Sequence, residues 1–124
     1  MFLNIYAGWF GFLAGIITGA ISGLRFHDEN FFGGYASWSR RLTRLAHISF
    51  FGLGLINLAF AVTADKLGYF DGLEIASVSF VVGLVTMPLV CYLSAFRPKF
   101  RHLFFIPVLS VFVGVVNVLW RMLA

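Results

Sequence analysis

Charge is distributed so unevenly along this chain that it dictates most of what the chain can become. Formal charges stop at four places, leaving the stretches 1–24, 45–64, 75–96 and 102–120 without an Asp, Glu, Lys or Arg. Each is close to the roughly 20 residues that, at about 1.5 Å rise, cross the hydrocarbon core of a bilayer as an α-helix. Continuous apolarity favours helices over barrel strands, which are about 10 residues long and alternate in polarity. With 60% hydrophobic residues and 11% charged in 124, composition argues against a water-soluble globular domain. The expected fold is an all-α integral membrane protein, one four-transmembrane-helix bundle with spans near 2–24, 45–64, 74–96 and 102–121. Almost nothing is left over for a soluble domain, and the first stretch lacks the basic start and cleavage site of a removable signal.

The connections set the orientation. Segments 25–44, 65–74 and 97–101 carry four, one and three Lys or Arg. Positive charge is retained on the cytoplasmic side, so the first and third connections are expected there, with the second connection and both termini outside. Arg121 dissents and is expected to snorkel. This use of the basic residues also removes the reason to invoke nucleic acid, despite a net charge of +4.

Local signals sharpen the boundaries. Asp71-Gly-Leu-Glu74 has the form of a capping box at the third span, Gly68 is a stop for the second, and Ser37 or Ser39 is its cap. Arg97-Pro98 ends the third span, and Pro98 fits the first turn of the fourth. Pro88 and Pro107 should interrupt spans three and four, freeing the carbonyls of Leu84 and Leu103, with Thr86 and Ser110 able to compensate. The first connection, rich in Phe26, Phe31, Phe32, Tyr35 and Trp38, is expected to lie at the headgroup level.

Two constellations bear on function. Gly8, Gly11, Gly15, Gly19 and Gly23 fall on one face of the first span, within about 120° at 100° per residue. Such a face admits a neighbouring backbone, within the chain or between protomers, or a flat ligand. His27, His47 and His102 are expected at the cytoplasmic rim, near Cys91, and two imidazoles from separate helices can hold a haem iron. On this reading His47 and His102 are the metal ligands, Gly54 underlies the ring, and Arg44 and Arg101 meet its carboxylates, with His27 close by. No H-x-x-x-H spacing points to zinc. Asn57 and Asn117 are expected to form interhelical hydrogen bonds. No interior span position carries a charge, which disfavours a proton-coupled transporter, and no Ser-His-Asp set shares one depth.

Met87-Pro-Leu-Val-Cys-Tyr-Leu-Ser-Ala-Phe-Arg-Pro-Lys-Phe-Arg-His102, with the basic lead-in Arg40-Arg-Leu-Thr-Arg-Leu-Ala-His47, resembles the corresponding parts of small four-span bacterial proteins associated with cytochrome oxidase assembly. The resemblance covers about half the chain. It implies a respiratory accessory role in a bacterial inner membrane, with His47 and His102 as the candidates carried over. The function expected is therefore a membrane accessory, assembly or cofactor-holding subunit, with haem as candidate cofactor, no independent catalysis, and the lipid bilayer and a larger membrane complex as partners. Two alternatives stand beside it: a purely structural subunit or homo-oligomer packing through the glycine face, and a small carrier or channel.

Overall fold

A computed structural model describes residues 2–26, 34, 37–68 and 72–123. They form α1 (Phe2–Phe26), α2 (Trp38–Leu67), α3 (Glu74–Phe96), a 3-10 helix (Pro98–Phe104) and α4 (Phe105–Leu123), with no strand among the described residues. All four are long and apolar enough to cross a membrane when the 3-10 helix is counted with α4.

The second helix starts well before its charge-free stretch. Ser37, in extended geometry, accepts a hydrogen bond from the Arg40 N–H at 3.2 Å and so caps α2 at its beginning. Arginine is a good helix former, so Arg40, Arg41 and Arg44 extend α2 instead of standing outside it. Gly68, at φ 66°, closes the helix by donating its N–H to the Ala64 carbonyl at 3.0 Å.

The capping box at α3 takes a different form. Asp71 lies outside the described residues, and the Glu74 carboxylate accepts from the Gly72 N–H at 2.9 Å, while Leu73 occupies the cap without a side-chain bond. A free helix N–H is taken up from elsewhere: Asn117 of α4 accepts from the Ala76 N–H at 3.2 Å. Gly72, at φ 86°, leaves room for the Arg121 guanidinium, 2.9 Å from where a Cβ would stand. Arg121 therefore packs on Gly72, just before α3.

Pro107 does not interrupt the fourth span. The chain runs as a 3-10 helix to Phe104, so Pro107 falls in the first turn of α4, where its missing N–H leaves no bond unmade. Nor do the hydroxyls compensate as expected: Thr86 donates to Val82 and Ser110 to Ile106, each to its own preceding turn and neither to Leu84 or Leu103.

Packing follows chain order. α1 lies on α2, α2 on α3 and α3 on α4, with a minor α1–α3 contact. In the most apolar window of each, 39% and 44% of α2 and α3 residues are buried, against 17% for α1 and 11% for the α4 span. The outer pair thus flank a central pair and present apolar faces outward.

Glycine sets the closest approaches. A Cβ on Gly8 would stand 2.9 Å from the Gly54 carbonyl, and one on Gly54 would stand 3.0 Å from the Gly8 carbonyl, so these backbones touch. Between α3 and α4 the exchange is also reciprocal, Val111 sitting on Gly83 and the Phe80 ring on Gly114.

Candidate functional site

Because the helices alternate in direction, the molecule has a terminal end, with Phe2, Gly68, Gly72 and Leu123, and a basic end, with Phe26, Ser37 and the 97–104 segment. The polar side chains of the two ends are arranged differently.

Toward the terminal end, Asn4 of α1, Asn57 of α2 and Ser77 of α3 meet, the two asparagines at 0% exposure. Asn4 Nδ2 donates to Asn57 Oδ1 at 2.8 Å and to the Ser77 carbonyl at 3.1 Å, and its Oδ1 accepts from Ser77 Oγ at 2.5 Å. Asn57 Nδ2 donates to the Leu53 carbonyl at 2.8 Å and to the Phe80 carbonyl at 3.2 Å. Every amide hydrogen of both asparagines is used. A knot closed in this way joins three helices and leaves no donor for a passing solute. Against it lies an apolar cluster that includes Phe60, Ala76 and Phe80.

At the basic end the start of α2 latches onto the end of α3. The Trp38 indole donates to the Ser94 carbonyl at 3.3 Å, Ser39 Oγ to the Ala95 carbonyl at 2.5 Å, and the Arg97 N–H to the Leu93 carbonyl at 2.8 Å. The first two bonds satisfy carbonyls that the α3 C-terminus would leave open, and the third is the last bond of α3 itself, made by its cap residue. Arg40 and Thr43 are buried beside this latch, and Ser94 and Cys91 are fully buried. Yet Ser94 Oγ has no hydrogen-bond partner, and neither has His47 Nδ1.

The described haem candidates stand on different elements. His47 lies on the α1 side of α2, its ring against Gly19 and edge-on to Phe51 at 5.3 Å. His102 is exposed on the 3-10 helix, which packs on α3 and α4, across the central pair from α1. Arg101 is exposed on that same segment, and Arg44 is half-buried on α2. His27 lies outside the described residues, as does most of the aromatic first connection. The surface of Gly54 is taken by the Phe12 ring, 3.0 Å from where a Cβ would stand. Among the described residues no three His, Cys, Asp or Glu side chains gather around a common point.

The glycine face of α1 is occupied by the chain itself. Leu58 covers Gly8, Leu84 and the Phe50 carbonyl meet Gly11, Phe51 covers Gly15, and His47 covers Gly19. A Cβ on Gly23 would meet nothing within 4 Å among the described residues. Asn4, absent from the sequence-based candidates, heads this same face, four residues before Gly8. That spacing is the signal in the sequence that could have revealed it.

Open space is lateral. A groove of about 520 Å³ runs between α1 and α3 over Phe50, and one of about 410 Å³ between α2 and α4 over Met87. Both are lined almost wholly by apolar side chains. The chain matches no protein-family model, no curated protein and no solved structure.

Proposed function

We propose that this chain is a small integral-membrane accessory subunit that acts by lateral contact with a larger membrane complex and performs no chemistry of its own. In this reading the basic end is cytoplasmic and both termini are outside, which the distribution of Lys and Arg over the connections supports. The observation that carries the reading is the contrast between a filled interior and open flanks. The three-helix knot and the glycine contacts use up the inner surfaces, whereas α1 and α4 present large apolar side chains outward, among them Trp9, Ile16, Phe112 and Trp120. Asn57 and Asn117, which a carrier would need free, are engaged in helix-to-helix bonds. The respiratory setting and the bacterial inner membrane rest on the resemblance of Arg40–His47 and Met87–His102 alone.

The test is purification from the native membrane in a mild detergent, with subunit stoichiometry and an optical spectrum before and after dithionite. A colourless chain in fixed ratio with a larger membrane protein is the expected result. A monodisperse chain without a partner overturns the reading. A Soret band that is lost in His47→Ala or His102→Ala restores the cofactor-holding one.

A further inference from the structure

The two lateral grooves differ in what stands at their ends. In the groove between α2 and α4, Leu45, Ile48 and Gly52 form one wall, Pro107 and Val111 the other, and Met87 the floor. It stays open because α4 leans on α3 and not on α2. From Leu45 to Ile56 the wall spans roughly 17 Å at about 1.5 Å per residue, about half of a hydrocarbon core roughly 30 Å thick. That is the depth of a single leaflet.

Both walls lead back to cations. Arg41 lies four residues before Leu45 and so on the same face of α2. Arg101 stands one 3-10 turn before Phe104, on the row that continues to Pro107. Both arginines are exposed, and neither pairs with an acid among the described residues. In the α1–α3 groove only the α3 wall leads to a nearby cation, Arg97 just past the end of α3, while the α1 wall runs on from Ala14 without a charge as far as Arg25.

We propose that the α2–α4 groove holds an acyl chain of an anionic phospholipid, with the lipid phosphate bound by Arg41 and Arg101. An apolar slot one leaflet deep takes the tail, and two guanidinium groups above it recognise the headgroup charge. The proposal rests on the membrane-spanning part of the reading above and on no partner protein.

Native mass spectrometry of the detergent-purified full chain tests it, by titration with phosphatidylglycerol and phosphatidylcholine of identical acyl chains. Phosphatidylglycerol is expected to be retained roughly 25-fold more strongly, about fivefold for each of two arginines near a headgroup. Arg41→Gln and Arg101→Gln should each reduce that retention about fivefold and leave phosphatidylcholine unchanged. A Cβ at Gly52 would have nothing within 4 Å, so Gly52→Phe should fill the groove and abolish retention of both lipids while helix content by circular dichroism is preserved. Equal retention of the two lipids, or two arginine variants that bind like the parent chain, overturns the proposal. Displacement by glycerol 3-phosphate would reveal a soluble-anion site and also overturn it. Carbonate extraction separates the two failures: a chain released by carbonate refutes the membrane reading, and an embedded chain without lipid preference refutes only this proposal.

Discussion

The terminal and basic ends use polar side chains in opposite ways. At the terminal end Asn4, Asn57 and Ser77 satisfy one another across three helices, and Asn117 ties the fourth to the Ala76 N–H. At the basic end the polar groups mainly cap helix ends, Ser94 Oγ and His47 Nδ1 are buried without a hydrogen-bond partner, and the cations Arg41, Arg97, Lys99 and Arg101 face outward. The difference teaches where the molecule is held together and where it meets its surroundings. A buried network with every donor used fixes one arrangement of helices, because any other would leave amides unpaired in an apolar medium. Outward cations fix nothing inside the fold and remain for external partners.

Substitutions can break or sharpen this contrast. The largest effect is expected at the backbone contact in the terminal half: Gly8→Leu should destabilise the chain by about 3 kcal/mol, by overpacking against Leu58 and the Gly54 carbonyl. Gly23→Leu on the same face, near the basic end, should leave the unfolding midpoint in mixed detergent micelles unchanged. Next is the knot itself. Asn57→Leu keeps the branching at Cγ but strips Asn4 of a partner, with an expected loss of about 2 kcal/mol on the same unfolding measurement. Asn117→Leu should lose about 1 kcal/mol, the scale of a helix cap, with faster amide exchange at Ala76 as its signature. The smallest effect is expected at the basic end, where Ser94→Ala removes an unpartnered hydroxyl and should shift stability by less than about 0.5 kcal/mol. A loss at Ser94 equal to that at Asn57 would erase the contrast between the ends.

Helix number and placement were legible in the charge-free stretches, because an ionised side chain in an apolar span is expensive wherever the helices sit. The third span, Glu74–Phe96, lies where the apolar run and Arg97-Pro98 place it. Charge was a poorer guide to helix ends. Arg40, Arg41 and Arg44 lie in α2 because arginine disfavours the apolar medium and not the helix. The candidate site was less legible still. His27, His47 and His102 share an expected depth, but depth says nothing about direction around a helix, and His47 and His102 lie on opposite flanks of the central pair. Asn4 was overlooked because one amide near a chain start has no meaning until its partners on α2 and α3 are known.

Periodicity and charge, which are properties of one segment at a time, thus determined four apolar helices, their approximate limits, the glycine face of α1 and the gathering of basic residues at one end. Partnership between segments was decided only by tertiary structure. Which helix fills the glycine face, which amides close the knot and why α4 leaves a groove beside α2 all depend on the rotation and order of packed helices. Those are set by the joint fit of side chains that are distant in sequence, and no single segment contains them.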